Sequence, residues 1–304
     1  MTPPLPSLAS YQTETRVALD AAQRASDAIM AIYDAQSAQT YEKSDGSPVT
    51  DADIAADKEI RDALTAAFPD DALMTEESED DDVRLSNRRV WIVDPIDGTA
   101  QFVGRTGKFD VLIALVEDGE PVVGVSLQPT TGMTHLAVRG QGAWRLGDGA
   151  WERLTMASAA NPPRIVASTY YLEPQYEAAL TALQSALGAE TAPVMDVGFQ
   201  PRAIDPAERW YDVFLGFPQD PTVFAAREWD IATSQIVVEE AGGVLTDCWG
   251  RRHQYNKRDT HISGGLVVSP DPALHATVID ALRTHLPETP PSPDPADDMR
   301  DSVA

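Results

Sequence analysis

The sequence predicts an α+β half followed by an α/β half. In the first half, strand-like runs at residues 111–116 and 122–127 are separated by a short acidic connection that contains glycine, which is typical of an antiparallel hairpin. In the second half, short apolar runs alternate with segments of helical periodicity, as expected for strand–helix units. The length of 304 residues is enough for two such halves with a substantial core.

We place the boundary near residue 153, which gives predicted domains at residues 1–153 and 154–286. From Pro287 onward, five prolines and five acidic residues dominate the sequence. Such a composition buries too little apolar surface to offset the entropy of folding, so we predict a disordered tail at residues 287–304.

Two helices and three strands are predicted in the first half. Apolar residues at helical spacing indicate a helix at residues 11–38. After a turn-rich loop at residues 43–48, Thr50 or Asp51 can cap a second helix that runs to about Phe68. The predicted strands lie at residues 89–93, 111–116 and 122–127.

Strands and helices are predicted to alternate in the second half. The predicted strands lie at residues 164–168, 211–215, 244–246 and 265–269. The predicted helices lie at residues 174–187, 230–241 and 272–286. Gly242-Gly243 follows the middle helix, as glycine commonly does at a helix C-terminus.

The charge balance excludes several classes of partner. The formal net charge is −25, with 48 acidic residues against 23 basic ones, of which four are lysines. Such a surface disfavours nucleic-acid polymers and anionic membranes, and it repels a phosphorylated substrate unless bound metal ions reverse the local sign. An acidic, lysine-poor surface also fits a high-salt cytoplasm, which we keep as a hypothesis.

The cysteine content and the apolar runs indicate a cytoplasmic protein. Cys248 is the single cysteine, so no intrachain disulfide is expected. The first ten residues lack a basic stretch followed by a long apolar one, and no apolar run approaches membrane-spanning length.

The segment at residues 91–99 carries the strongest chemical signal. An apolar run ends in Asp94 and Asp97, and two carboxylates close together suit Mg²⁺. Gly98-Thr99 then resembles the start of a helix, whose N–H groups can hold a phosphate. The alternative is an ordinary strand-to-turn transition, because Asp, Pro and Gly all favour turns.

Three further acidic positions stand at predicted element boundaries. Asp53 falls in the first turn of a helix, where acidic residues are favoured in any case. Glu76 and Glu77 begin a run with six acidic residues in seven positions, and such runs are usually solvated. Asp230 opens a predicted helix, so its alternative role is helix capping.

The order of these motifs resembles the inositol monophosphatase superfamily of lithium-sensitive, Mg²⁺-dependent phosphatases. The motifs are Asp53, Glu76-Glu77, residues 94–99, Trp229-Asp230 and Gly242-Gly243. The resemblance covers about residues 10–286. It implies the layered α-β-α-β-α sandwich shared by inositol monophosphatases and fructose-1,6-bisphosphatases.

The resemblance also implies the roles of individual residues. Two or three Mg²⁺ ions are implied, with lithium as an inhibitor. The implied metal ligands are Glu76, Asp94, the carbonyl of Ile96, Asp97 and Asp230, with Glu77 as a secondary candidate. The implied catalytic residues are Asp53, Thr99 and Glu76, and the implied phosphate contacts are Gly98, Thr99, Asp97 and Asp230.

Other stretches are similar to the bisphosphate nucleotidases of the CysQ type. Lys43, then residues 47–50 and Ala52-Asp53, resemble their first block, and residues 106–109 resemble their stretch after the aspartate motif. Those enzymes remove the 3′-phosphate from 3′-phosphoadenosine 5′-phosphate. An inositol-1-monophosphatase, another sugar phosphatase or a non-enzymatic ligand-binding relative remain alternatives, and a monomer and a homodimer are both open.

The departures from that pattern fall where the organic part of a small phosphorylated substrate would bind. Residues 168–171 read Ser-Thr-Tyr-Tyr where Ser-Arg-Ser-His is common. Residues 198–202 read Gly-Phe-Gln-Pro-Arg, which makes Gly198 and Arg202 the candidate substrate residues. Arg202 and Arg227 are candidates for contacting a second phosphate, and simple surface charge is the alternative for both.

Overall fold

A computed structural model describes most of the chain as two compact units. The described residues are 4–42, 48–80, 82–147, 149–168, 174–189, 194–195, 198–206, 209, 211–218 and 226–288. The first unit is Met1–Leu154 together with Ala232–Val237, and the second is Thr155–Ile231 together with Val238–Ala304. The predicted disordered tail lies outside the described residues from position 289 onward.

The described residues form six α-helices and fourteen strands. The helices are α1 (Gln12–Ala35), α2 (Asp51–Ala67), α3 (Thr99–Val103), α4 (Glu177–Leu187), α5 (Glu228–Glu240) and α6 (Pro272–Leu282). The strands are β1 (Thr40–Glu42), β2 (Pro48–Thr50), β3 (Ala72–Thr75), β4 (Arg89–Asp97), β5 (Asp110–Glu117), β6 (Glu120–Leu127), β7 (Thr134–Val138), β8 (Gly142–Gly147), β9 (Ala150–Leu154), β10 (Ile165–Ser168), β11 (Val194–Met195), β12 (Val213–Gly216), β13 (Val244–Thr246) and β14 (Leu266–Ser269).

The first unit is built on a sheet with strand order β3-β4-β5-β6-β7-β8-β9. β3 pairs with β4 in parallel, and each later pair is antiparallel. The predicted hairpin between β5 and β6 is confirmed. Asp118 and Gly119 connect its strands with φ angles of 51° and 80°, the left-handed values that match the twist of a two-residue hairpin.

Both faces of this sheet are buried. One face packs against α1 and α2, and its side chains include Trp91, Val93 and Ile113. On the other face, Gly124 of β6 lies against the part of α5 that belongs to the first unit. A sheet covered on both faces explains why β4 reads as a nearly continuous apolar run.

The second unit contains a mixed sheet with strand order β11-β10-β12-β14-β13. β10 is parallel to β11 and β12, whereas β14 is antiparallel to its neighbours. Val213, Leu215 and Val267 share an apolar core with α4 and α6. Cys248 is fully buried there as a free thiol. Among the described residues, no helix combines the length and apolar character needed to cross a bilayer.

Several element boundaries differ from those predicted. α5 begins at Glu228, two residues before the predicted start, so Asp230 is its third residue. α6 ends at Leu282, and the next three residues form a 3₁₀ turn. The strands β1, β2, β3, β7–β9 and β11 were not predicted. β1, β2, β3 and β11 are only two to four residues long, and β7–β9 lie among glycines and charged residues.

The contact of Gly124 with α5 gives a stability test. A Cβ at this position would lie 2.6 Å from Cγ2 of Ile236 and 3.3 Å from the carbonyl oxygen of Thr233. Gly124→Ala should therefore lower the free energy of unfolding by about 1–3 kcal/mol, as overpacking commonly does. Urea denaturation measures this change.

Gly147→Ala in β8 is the matched control. Its new Cβ would meet nothing closer than Arg145 Cζ at 4.0 Å, and it should change the unfolding free energy by less than about 0.5 kcal/mol. Equal stability of the two variants would contradict close packing at Gly124.

Candidate active site

An extra residue in β4 brings the two aspartates of the central motif to one side of the strand. Asp94 pairs with Leu112 and Asp97 with Asp110, so three steps along β4 match two along β5. Residues three apart on a regular strand face opposite sides of a sheet, and a bulge of one residue reverses this. Pro95 lies inside the bulge, where its missing N–H breaks no ladder hydrogen bond.

The two aspartates are close together, with Asp94 buried and Asp97 half-buried. Asp94 and Asp97 each offer a carboxylate oxygen, and these oxygens lie within 4.8 Å of each other. Asp94 is 1% exposed, and its Oδ1 accepts the N–H of Ile96 at 3.0 Å. Two neighbouring carboxylates at such a position repel each other, which a divalent cation would relieve.

Gly98 makes the sharp turn after the bulge. Its φ of 98° lies in the left-handed region, and an added Cβ would lie 3.2 Å from the carbonyl oxygen of Lys108. Any side chain would therefore be strained and crowded. The following helix, α3, has five residues, so phosphate binding by the N–H groups of Gly98 and Thr99 stays a prediction.

Asp53 is the third residue of α2 and completes a capping box with the N-cap residue Thr50, which holds its carboxylate in one orientation. The structure confirms Thr50 as the N-cap. Oδ2 of Asp53 accepts the backbone N–H of Thr50 at 2.8 Å and its hydroxyl at 2.6 Å. This is a capping box, and it leaves Oδ1 of Asp53 directed to a different partner.

That partner is Thr99, which links α2 to the end of β4. The Thr99 hydroxyl donates to Oδ1 of Asp53 at 3.0 Å and lies 3.2 Å from the carbonyl oxygen of Ile96. Because the Thr99 hydroxyl directs its hydrogen towards Asp53, its lone pairs are available to accept a proton from water.

Burial raises the pKa of Asp53 above its ordinary value. Hydrogen bonds from Thr50 and Thr99 oppose this shift, and the negative charge of Glu76 adds to it. A carboxylate with a raised pKa is a better proton acceptor, so the Asp53–Thr99 pair has the chemistry of a general base.

Glu76 and Glu77 follow β3 directly and are half-buried. The backbone N–H of Glu76 donates to the carbonyl oxygen of Val93 at 3.1 Å, which places it beside the end of β4. Ser78 anchors this loop to α2, because its hydroxyl contacts Asp57 at 3.2 Å and accepts from Arg61 at 2.7 Å. The run is thus less solvated at its start than its composition indicates.

Asp230 lies in the second unit, at the start of α5. Its Oδ2 accepts the backbone N–H of Arg227 at 2.7 Å, so the capping role considered from the sequence is present. The same helix continues as Ala232–Val237, which belong to the first unit.

Sequence reasoning missed the buried ion pair that holds the start of α5. Glu228 is fully buried, and its carboxylate lies 3.0 Å from Nζ of Lys257. It also accepts the backbone N–H groups of Asn256 at 2.6 Å and Lys257 at 3.0 Å. The sequence shows Glu228 as an acidic residue beside Trp229, but it does not show its partner Lys257, which lies 29 residues further along the chain.

Only some of the candidate substrate residues lie among the described residues. Gly198 is exposed, and Arg202 lies in a 3₁₀ turn, where its guanidinium donates to Gln200 Oε1 at 2.7 Å. Lys43 and residues 169–171 lie outside the described residues.

A comparison with protein families decides the assignment. The model described as "Inositol monophosphatase family" matches residues 10–286. The chain belongs to the inositol monophosphatase family. This agrees with the resemblance that the order of the motifs indicates.

Individual relatives of this family carry phosphatase names. The chain is 32% identical over 251 residues to the 3′(2′),5′-bisphosphate nucleotidase CysQ of Escherichia coli (strain K12), covering 82% of this chain and 96% of that protein. It is 30% identical over 269 residues to the histidinol-phosphatase of Chlorobaculum parvum, covering 88% and 96%. The protein is a phosphoric monoester hydrolase, and the non-enzymatic alternative loses its support.

Solved structures confirm the fold class. CysQ from Bacteroides thetaiotaomicron matches with a TM-score of 0.69 and 28% identity, covering 86% of this chain and 99% of that one. An inositol monophosphatase from Zymomonas mobilis matches with a TM-score of 0.71 and 25% identity, covering 91% and 100%. The predicted layered α and β sandwich of the inositol monophosphatase type is thereby confirmed.

The Glu228–Lys257 pair should be a strong contributor to stability. Lys257→Gln leaves a buried carboxylate without its counter-charge, which should lower the free energy of unfolding by about 3–5 kcal/mol. Lys58→Gln is the control, because Lys58 forms an exposed ion pair with Asp62 at 2.6 Å and its loss should leave the midpoint unchanged. Similar denaturation midpoints for both variants would argue against the buried pair.

Proposed function

We propose that the protein is a Mg²⁺-dependent phosphomonoesterase that hydrolyses a small phosphorylated metabolite by direct attack of water. The proposed activity is that of a 3′(2′),5′-bisphosphate nucleotidase, which converts 3′-phosphoadenosine 5′-phosphate to AMP. The observation that carries the reaction type is the Thr99–Asp53 hydrogen bond of 3.0 Å, located beside the Asp94 and Asp97 carboxylates.

The residues present fit Mg²⁺. This ion prefers oxygen ligands, and one end of β4 offers the Asp94 and Asp97 carboxylates and the Ile96 carbonyl. We propose Glu76 and Asp230 as further ligands and Glu77 as a secondary one, for two or three ions. When bound, Mg²⁺ supplies positive charge that acidifies water and stabilises charge developing on the phosphate.

The protein's own groups would move the proton. Thr99 donates its hydroxyl hydrogen bond to Asp53, so its lone pairs can orient a water molecule. As Thr99 takes a proton from that water, its own hydroxyl proton would pass to Asp53. The N–H groups of Gly98 and Thr99 would hold phosphate oxygens. Attack by water needs no covalent intermediate on the protein.

The proposal that the substrate is a bisphosphate nucleotide is supported by the similarity to the CysQ proteins of Escherichia coli and Bacteroides thetaiotaomicron. The histidinol-phosphatase and inositol monophosphatase relatives supply the competing substrates. We further propose a cytoplasmic protein, which agrees with its single buried free cysteine. Monomeric and homodimeric states are both compatible with this function.

A substrate panel tests the proposal. Phosphate release is measured with and without Mg²⁺ from 3′-phosphoadenosine 5′-phosphate, inositol 1-phosphate, histidinol phosphate and fructose 1,6-bisphosphate. The first compound should have the highest kcat/KM, and lithium should inhibit. A higher kcat/KM for another ester would overturn the proposed substrate assignment. Phosphate release without Mg²⁺ would overturn the proposed metal requirement.

Asp94→Asn tests the metal site. Asparagine keeps the shape and can still accept the Ile96 N–H, but it removes the charge, so kcat should fall by roughly 100-fold or more. Asp62→Asn removes the same charge at an exposed position and should leave kcat unchanged. Activity retained in Asp94→Asn would refute the metal assignment.

Thr99→Ala tests the proton path. Loss of the hydroxyl should lower kcat by roughly 100- to 10,000-fold at saturating Mg²⁺, because general-base catalysis is of this size. Thr99→Ser keeps a hydroxyl and should retain most of the activity. A Thr99→Ala enzyme with wild-type kcat would show that water is activated without Thr99.

A further inference from the structure

We propose that Arg227 determines substrate specificity by binding a second anionic group, so that the site favours bisphosphates over monophosphates. This rests on the proposed function, because it takes Asp230 as part of the site that binds the scissile phosphate. It extends that function by assigning a recognition residue, and it rests on contacts within the second unit.

Arg227 stands next to Asp230 in three dimensions as well as in sequence. It is the residue that immediately precedes α5, and its backbone N–H donates to Oδ2 of Asp230 at 2.7 Å. The Arg227 side chain therefore begins beside the Asp230 carboxylate, and its guanidinium lies within one arginine side-chain length of that carboxylate.

The guanidinium is held in place but is not saturated. Its Nη1 donates to Oγ1 of Thr260 at 3.1 Å and lies 3.4 Å from Nδ1 of His261. Its Cζ lies 5.8 Å from the centre of the Trp229 ring. Within the described part of the chain, its Nη2 and Nε make no hydrogen bond, so one edge of the planar fork remains for an oxyanion.

Arg227 has no direct carboxylate partner in the described part of the chain, and Asp259 reaches it only through His261, whose Nδ1 lies 2.5 Å from Asp259 Oδ1. Among the described residues, no carboxylate oxygen lies within 4.0 Å of its guanidinium. By contrast, Arg251 pairs with Asp247 at 2.6 Å and Arg252 with Glu239 at 2.6 Å. In a chain with a net charge of −25, a fixed and half-buried arginine without a carboxylate is adapted to an anion that is not part of the protein.

The loop that fixes Arg227 is itself rigidly attached to α5. The N–H of Glu228 donates to the carbonyl oxygen of Thr260 at 2.9 Å, and the N–H of Ile262 donates to that of Ala226 at 2.8 Å. The buried pair between Glu228 and Lys257 closes the same connection. The guanidinium is thus pre-organised, which lowers the entropic cost of binding a phosphate.

The test compares two substrates that share the scissile phosphate. These are 3′-phosphoadenosine 5′-phosphate and adenosine 3′-phosphate, which lacks the second phosphate. Wild-type enzyme should favour the bisphosphate, and Arg227→Gln should lower kcat/KM for it by roughly 10- to 100-fold, mainly through KM. The same variant should keep the monophosphate kcat/KM within about twofold of wild type, and Arg227→Lys should restore part of the loss.

Arg88→Gln is the control for loss of a positive charge, because Arg88 is exposed and pairs with Asp118 at 2.8 Å. It should leave both kcat/KM values unchanged. An equal loss on both substrates in Arg227→Gln, or no loss on either, would overturn the proposal.

Failure of the proposed substrate can be told apart from failure of this inference. If wild-type enzyme hydrolyses neither adenosine compound, the nucleotidase assignment fails. The same variants are then compared on inositol 1,4-bisphosphate against inositol 1-phosphate, and on fructose 1,6-bisphosphate against fructose 1-phosphate. If Arg227→Gln changes the preference for the bisphosphate in none of these pairs, the role of Arg227 is overturned while the phosphatase activity stands.

Discussion

The extra residue in β4 is the constraint on which the candidate site depends. Without it, Asp94 and Asp97 would face opposite sides of a sheet whose two faces are both packed, and one carboxylate would be buried among apolar side chains. The bulge turns this arrangement into a pair of oxygens within 4.8 Å. It also directs the chain into the left-handed turn at Gly98, from which Thr99 reaches Asp53.

The Thr99–Asp53 hydrogen bond joins local capping chemistry to the sheet. Thr50 fixes one oxygen of Asp53, and Thr99 engages the other, so a helix N-terminus and a strand C-terminus are locked at one point. Each group has a partner before any substrate arrives. Such pre-organisation is what electrostatic catalysis requires, because little reorganisation is then needed during the reaction.

The sequence predicted the chemistry better than the geometry. The proximity of the Asp94 and Asp97 carboxylates, the Thr50 cap and the hairpin at Asp118-Gly119 follow from local rules, and the structure shows all three. The bulge was not predicted, although Pro95 inside a strand-like run was its signal. The Glu228–Lys257 pair could not be predicted, because it depends on two segments that meet only in the folded chain.

The double use of the acidic residues has a consequence for substitutions. Asp53 and Asp230 each accept a capping N–H at a helix start, and Asp94 accepts the N–H of Ile96, so replacing any of them with a residue that cannot accept a hydrogen bond would loosen the backbone as well as remove a charge. In the proposed mechanism, the atoms that stabilise these backbone turns are also the atoms that would carry the chemistry. Arg227 differs, because its proposed role would use Nη2 and Nε, which make no hydrogen bond within the described residues, so its exchange would alter substrate choice while leaving these backbone turns in place.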